Sequence, residues 1–201
     1  PFTKMGRHFQ QEGEGWLMSS DNILSEQDPT KIRWQMLPEG DTGIRNPQFG
    51  SVQEEHNVVP LDGNKSLFCI YRTEMGFPAC SYSYDRGKKW TPPETLRYDP
   101  GGPVMRTPRA CPTVWKCQNG KYLFWFHCNG YPYYQHSEPP ISRNLVWRSG
   151  GVEREGKIHW SQPELINYED NTRRGSSYPD LIEDQGDYYL SSTQKVAARW
   201  Q

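Results

Sequence analysis

The sequence lacks an excess of charge, a long apolar segment and a signal segment. Its 23 lysines and arginines balance 24 aspartates and glutamates, which leaves a net charge of -1, whereas nucleic-acid-binding domains usually carry a clear basic excess. No apolar run approaches the roughly 18 residues that a membrane-spanning helix needs. The sequence therefore predicts neither a nucleic-acid partner nor a membrane span.

Zinc-type cysteine pairs are also missing. None of the five cysteines belongs to a C-x-x-C pair, so we predict no metal and no cofactor, although a calcium site built from backbone carbonyls would leave little trace in a sequence. Cys69 and Cys80 lie on consecutive predicted strands. They either form a disulfide or serve as small buried hydrophobic side chains.

Aromatic side chains replace the sparse aliphatic ones. The chain holds 8 tryptophans, 12 tyrosines and 7 phenylalanines among 201 residues, together with 18 glycines and 17 prolines. A near-zero net charge and many aromatics favour a folded chain over a disordered one. Because glycine and proline at this density interrupt long helices, the fold class that we predict is all-β with many turns.

A repeat organises the chain. Trp34, Trp90 and Trp160 are each followed by a Pro-Glu pair, at spacings of 56 and 70 residues. A second series, with spacings of 55 and 67 residues, starts at Asn57, Pro112 and Pro179. Two series with the same irregular period indicate a repeated unit of four short strands, at 56–61, 66–73, 77–84 and 89–97 in the best-preserved copy, and such units are typical of β-propeller blades.

The length supplies three to three and a half such blades, in approximate units 1–50, 51–105, 106–175 and 176–201. Propellers close with about four to eight blades, and the chain begins at Pro1 near the third strand of one unit. We therefore expect an incomplete propeller domain, whose remaining blades come from the rest of a longer chain or from another chain.

One segment matches a specific motif. Ser83-Tyr-Asp85-Arg-Gly87-Lys-Lys-Trp90 fits S-x-D-x-G-x-x-W, in which the Ser and Asp side chains accept turn hydrogen bonds, Gly tolerates positive φ and Trp anchors the next strand. It resembles the Asp-box, or bacterial neuraminidase (BNR) repeat, of sialidase-like propellers, which are six-bladed when complete. Eroded copies are predicted at Ser20-Asp21 and at Ser149–Gly156. The resemblance implies a structural role for the motif.

Polar clusters precede the predicted first strand of three units, at Glu54-Glu55-His56, at Arg106–Arg109 and at 173–180. In a propeller these positions converge on the central axis, although each cluster alone also fits a solvated loop. The resemblance implies cleavage of glycosidic bonds in a carbohydrate substrate, with a Tyr nucleophile activated by a Glu and a sugar carboxylate held by arginines. The candidate catalytic residues are Glu55, Asp180, Tyr178 and His56. The candidate substrate-binding residues are Arg109, Arg106, Arg72, His127 and Arg174.

Other interpretations remain open at this point. The nearest strings to the sialidase R-I-P motif, Arg106-Thr-Pro108 and Arg45-Asn-Pro47, do not match it cleanly, which leaves either an anionic or an uncharged sugar as substrate. The aromatic loop 131–136 forms a sugar subsite or packs against further blades. A non-catalytic Asp-box propeller that binds carbohydrate or protein is the alternative to a glycosidase. A glycan-directed fold favours a secreted, cell-surface or periplasmic location.

Overall fold

A computed structural model describes residues 13–49, 55–63, 65–128, 143–171 and 175–193, together with the backbone of 2–4 and 195–200. These residues form four antiparallel sheets that follow one another along the chain, so the all-β prediction is confirmed. Two short 3-10 helices, Pro29–Lys31 and Pro47–Phe49, lie in loops. The strands are β1 (Phe2–Lys4), β2 (Glu14–Ser19), β3 (Gln35–Leu37), β4 (His56–Pro60), β5 (Leu67–Tyr71), β6 (Ala79–Ser83), β7 (Glu94–Thr95), β8 (Thr113–Lys116), β9 (Tyr122–His127), β10 (Val146–Arg154), β11 (Lys157–Trp160), β12 (Glu164–Asn167), β13 (Ser177–Asp184), β14 (Asp187–Thr193) and β15 (Lys195–Trp200).

Each sheet is a meander of neighbouring strands. The orders are β1-β2-β3, β4-β5-β6-β7, β8-β9-β10-β11 and β13-β14-β15. The third sheet departs from the predicted four-strand pattern, because the outer edge of its long strand β10 pairs with β11 at one end and with β12 at the other. Its fourth strand is thus split into two segments. In the second sheet, the predicted strand 89–97 shortens to the two residues of β7.

Aromatic and aliphatic side chains fill a core between each pair of successive sheets. Alternate residues of β5 serve two cores: Phe68 belongs to the cluster shared with the third sheet, and Tyr71 belongs to the cluster shared with the first. Strand β9 is used in the same way, with Phe124 on one face and Trp125 on the face towards the fourth sheet. Because both faces of β5 and β9 are buried, their sequences are nearly continuous apolar runs.

The tryptophan repeat corresponds to a repeated hydrogen-bond pattern. Ser81 Oγ donates to the carbonyl of Thr91 at 2.6 Å, and Ser149 Oγ donates to the carbonyl of Ser161 at 2.6 Å. Thr91 follows Trp90 and Ser161 follows Trp160, so the second and third sheets place the two tryptophans equivalently. This part of the predicted repeat is confirmed.

The Ser83–Trp90 segment is a tight turn closed by its own side chains. Ser83 Oγ donates to Asp85 Oδ1 at 2.9 Å and accepts from the Gly87 N–H at 2.8 Å, while Lys89 N–H donates to Asp85 Oδ1 at 2.9 Å. The indole of Trp90 donates to the Gly87 carbonyl at 3.0 Å. Gly87 has φ +87°, and a Cβ added there would lie 3.3–3.6 Å from leucine side chains of the first and second sheets, so a side chain at this position would be strained.

The two predicted eroded copies need correction. In the first sheet the acceptor is Asn22 and not Asp21, because Asn22 Oδ1 accepts from Ser20 Oγ at 3.2 Å and from the Arg33 N–H at 2.9 Å. The third copy is absent as a turn of this kind. Residues 149–154 lie in strand β10, and the turn is a two-residue hairpin at Glu155-Gly156 with positive φ at both positions.

The five cysteines lie in the described part of the chain, and none forms a disulfide. Cys80 faces Ile70 across the β5–β6 ladder, one position away from Cys69. Side chains one position apart along a strand point to opposite faces, and the two thiols accordingly lie in different cores. The hydrophobic alternative is therefore correct for this pair. No helix among the described residues is long and apolar enough to cross a membrane.

Candidate active site

A tyrosine, a glutamate and an arginine from three different parts of the chain meet at one point. Tyr178 Oη donates to Glu55 Oε1 at 3.2 Å, and Arg72 Nη1 lies 2.9 Å from Glu55 Oε2. The tyrosine is 123 residues from the glutamate in sequence. The Arg72 side chain is only 4% exposed and that of Glu55 is 16% exposed, whereas Tyr178 is 52% exposed. The ion pair thus lies under a tyrosine that solvent and ligands reach.

Strand β13 presents Tyr178 through an irregular backbone. The β13–β14 ladder shifts register between Ser177 and Asp180, and Tyr178 has φ +49°. A residue before proline normally adopts an extended conformation, so a left-handed tyrosine before Pro179 is strained by about 1–3 kcal/mol. Such strain persists only where the surroundings enforce it, and bulges of this kind often redirect a side chain beside a functional site.

Glu55 is held at the start of the second sheet. It immediately precedes β4, and its carbonyl accepts the Arg72 N–H at 3.1 Å. The two residues therefore contact through both backbone and side chains. A largely buried carboxylate needs a partner, and Arg72 provides one for Glu55 in this position.

Two further residues of the site were not among the predicted ones. The guanidinium of Arg143 lies 5.5 Å from the centre of the Tyr178 ring, and its Nε is buried without a hydrogen-bond partner among the described residues. The Cys111 thiol lies close to Glu55; burial, followed by the negative charge of Glu55, raises its pKa to about 11. It is therefore a neutral side chain at neutral pH. Neither residue belongs to a sequence pattern that would have identified it.

His56 and His127 were predicted to serve the site directly, but both are buried and bonded to backbone. His56 Nε2 is 2.9 Å from the Trp16 carbonyl, and His127 Nε2 is 2.6 Å from the Ser176 carbonyl. Burial lowers the pKa of each ring to about 4. Both are consequently neutral donors inside the protein, and neither is placed to contact a substrate.

The other predicted residues in the described part of the chain have different surroundings. Arg109 Nε lies 3.6 Å from Glu74 Oε1, Arg106 is exposed, and Asp180 is exposed with Oδ1 accepting the Leu181 N–H at 2.9 Å. Arg174, Glu54 and the loop 131–136 lie outside the described residues. Arg45, a weaker candidate, lies 3.4 Å from Glu14.

The described side chains do not form a cluster of three or more histidines, cysteines, aspartates or glutamates suited to a metal ion. The Tyr178 site offers a phenol, a carboxylate and two guanidinium groups. A phenol hydrogen-bonded to a carboxylate is a nucleophile paired with a base.

Comparison with solved structures identifies the fold. The NanB sialidase from Streptococcus pneumoniae, in complex with a chlorobenzyl-substituted ammonio-ethanesulfonate, matches with a TM-score of 0.55 and 17% identity over 83% of this chain and 23% of the sialidase chain. A single-residue mutant of NanB matches with a TM-score of 0.50 and 14% identity, over 95% and 26% of the two chains. No family model and no curated protein sequence matches.

The chain therefore has a sialidase-like fold, as the Ser83–Trp90 motif suggested. Identities of 14–17% show the fold and no more. The chain spans about a quarter of the length of these sialidase structures.

Proposed function

We propose that the chain is part of a sialidase-like glycoside hydrolase in which Tyr178 is the nucleophile and Glu55 is its base. The observation that carries this proposal is the 3.2 Å hydrogen bond from Tyr178 Oη to Glu55 Oε1. Strain at Tyr178 and burial of the Glu55–Arg72 pair support it, since both hold the tyrosine hydroxyl against the carboxylate. A surface tyrosine without a function would require neither a strained backbone nor a buried ion pair beneath it.

The proposed reaction has two displacement steps. Tyr178 Oη attacks the anomeric carbon while its proton moves to Glu55, and the bond from that carbon to the leaving oxygen breaks. The leaving oxygen takes a proton from an acid or from solvent. Water then attacks the same carbon and the bond from that carbon to Tyr178 Oη breaks; Glu55 returns its proton to Tyr178 Oη, and the proton of the water goes to the group that protonated the leaving oxygen, or to solvent. Asp180 is the candidate carboxylate that we propose as this acid, and its described contact is with its own strand.

Charge around the tyrosine favours an anionic sugar. Arg72 neutralises Glu55, so the Arg143 guanidinium near the Tyr178 ring supplies positive charge that the pair does not cancel. The neutral phenol also suits a sugar that carries a carboxylate beside its anomeric carbon. A carboxylate nucleophile would be repelled by that charge, whereas a phenol is not. We therefore propose terminal acidic sugars of glycans as substrates, and a secreted or surface location where such glycans occur.

The turn geometry supports the propeller part of the proposal. The Ser83–Trp90 hydrogen bonds suit an Asp-box, and Asn22 gives the first sheet a related turn.

The first and last described sheets expose apolar side chains. These are Met18 and Met36 in the first sheet and Ile182 and Tyr189 in the last. Further blades of the same domain would cover both faces.

Hydrolysis of aryl glycosides by the intact protein tests the function. The panel holds aryl sialosides, uronides and neutral hexosides, because an aryl leaving group needs little protonation and so isolates the nucleophilic step. We expect release from an acidic member, and a loss of at least about a hundredfold in kcat for Tyr178→Phe and for Glu55→Gln.

Two surface substitutions serve as matched controls. Tyr168 is 62% exposed, and Glu164 pairs with Arg148 at the surface at 2.7 Å. Tyr168→Phe and Glu164→Gln should leave kcat unchanged. No release from any member by the wild-type protein, with glycan binding retained, would favour the non-catalytic binding propeller instead.

A further inference from the structure

Ser176 connects the segment before Tyr178 to three other parts of the molecule. Its N–H donates to the Arg143 carbonyl at 3.1 Å, its Oγ is 2.5 Å from Ser192 Oγ, and its carbonyl accepts from His127 Nε2 at 2.6 Å. Ser176 is buried and lies two residues before the tyrosine. One residue thus joins the strand that carries Tyr178, the segment that carries Arg143, and the end of β9.

The backbone at Tyr178 itself is not held by regular pairing. The β13–β14 ladder pairs Ser177 with Thr193 and resumes only at Asp180. The position of the phenol therefore depends on Ser176 and Ser177 before it and on Asp180 after it. Of those, Ser176 is bonded to a different sheet, through His127.

The hydrogen bond from His127 has a defined direction. A carbonyl oxygen only accepts, so Nε2 carries the proton and Nδ1 is the unprotonated nitrogen. Nδ1 is buried without a partner among the described residues, and the Trp125 ring packs edge-on at 4.5 Å. Nothing at Nδ1 would stabilise a second proton, and the nearby Arg143 charge opposes it. His127 is a fixed donor and not a proton carrier.

We propose that His127 is a positioning residue, which holds Tyr178 against Glu55 through the Ser176 carbonyl. The proposal rests on the function proposed for the Tyr178–Glu55 pair. It replaces the predicted contact of His127 with substrate. It also explains why an imidazole, with one directed donor on a rigid ring, occupies a fully buried place in an apolar core.

Three variants of the intact protein test the proposal. Glutamine carries an amide nitrogen at nearly the position of Nε2, so His127→Gln should keep the bond and retain kcat within about threefold. His127→Leu fills similar space without a donor and should lower kcat at least about thirtyfold, with a smaller change in KM. The control, His159→Gln, alters a partly exposed histidine paired with Asp99 at 2.9 Å and should leave kcat unchanged.

Hydrogen–deuterium exchange across residues 175–181 gives a readout that does not need activity. Exchange should be faster in His127→Leu and unchanged in His127→Gln. Should the leucine variant fail to fold, His127→Asn replaces it, because its shorter amide does not reach the Ser176 carbonyl. Equal kcat and equal exchange in the donor and non-donor variants would overturn the proposal, as would a glutamine variant as impaired as the leucine one. An inactive wild-type protein would refute the hydrolase function, while exchange would still decide whether His127 anchors this segment.

Discussion

Acidification from pH 7 to pH 5 should destabilise the folded protein through His56 and His127. Both rings are buried and neutral, with each pKa lowered by burial from 6.5 to about 4. In the unfolded chain each ring gains a proton near pH 6.5. The unfolded state therefore binds more protons than the folded state across this range, and the free energy of unfolding falls as the pH falls.

The size of the effect follows from the two pKa values of each ring. Each histidine has a pKa of 6.5 in the unfolded chain and about 4 in the folded protein. Lowering the pH from 7 to 5 should therefore reduce the free energy of unfolding by about 2 kcal/mol per histidine. The two together give about 4 kcal/mol, a large part of the stability of an ordinary domain. Carboxylates such as Asp85, whose pKa is lowered by the Lys89 N–H, lose their contribution only below about pH 4, so they do not obscure this range.

Urea unfolding at half-unit pH steps measures the prediction. His127→Gln keeps a donor for the Ser176 carbonyl but does not titrate, so it should remove about half of the pH dependence. His56→Gln should remove a similar share, and the double variant nearly all of it. A wild-type free energy that stays flat between pH 7 and pH 5, or an unchanged slope in both variants, would show that these rings are not buried as neutral groups.

Three further perturbations test other parts of the structure. Gly151→Ala should lower the free energy of unfolding by about 1–3 kcal/mol, because an added Cβ would lie 2.7 Å from atoms of Ile158 and Trp160. The control is Gly150→Ala, next to it in β10. Its added Cβ would meet Ser161 Oγ at 3.7 Å, so it should lower the free energy of unfolding far less. Asp85→Ala should cost about 1–2 kcal/mol by removing the acceptor of two turn hydrogen bonds, and an unchanged thermal midpoint would contradict this. Arg72→Met should lower the free energy of unfolding by about 3 kcal/mol, because it removes the ion pair of the largely buried Glu55 carboxylate. Adding Glu55→Gln should recover part of this loss. Strictly additive effects of the two substitutions would refute the coupling between the residues.

Much of the fold could be predicted because its signals are local. Strands β4, β5 and β6 lie within one or two residues of the predicted 56–61, 66–73 and 77–84, since apolar runs between glycine and proline turns leave few alternatives. The Ser83–Trp90 turn closes through contacts within eight residues. By contrast, Ser149–Gly156 resembled that turn in composition, but its residues 149–154 extend a strand, because their backbone pairs with β9 and β11.

The candidate site could be predicted only in part. The equivalent positions of the polar clusters in the repeat indicated Glu55 and Tyr178, and the structure joins these two residues by a hydrogen bond. The same reasoning could not separate them from His56, which follows Glu55 directly but turns into the protein towards Trp16. Nor could it find Arg143, whose relevance comes solely from its distance to the Tyr178 ring.

The β class, the strands β4 to β6 and the Ser83–Trp90 turn follow from local sequence signals, since each depends on neighbouring residues and on alternation along one strand. Tertiary packing fixes which polar side chains face solvent and which bond to backbone. It also decided that Cys69 and Cys80 face opposite cores, and that a bulge directs Tyr178 to a carboxylate 123 residues away. These outcomes depend on strand register and on the packing of successive sheets, which residue type and spacing do not specify.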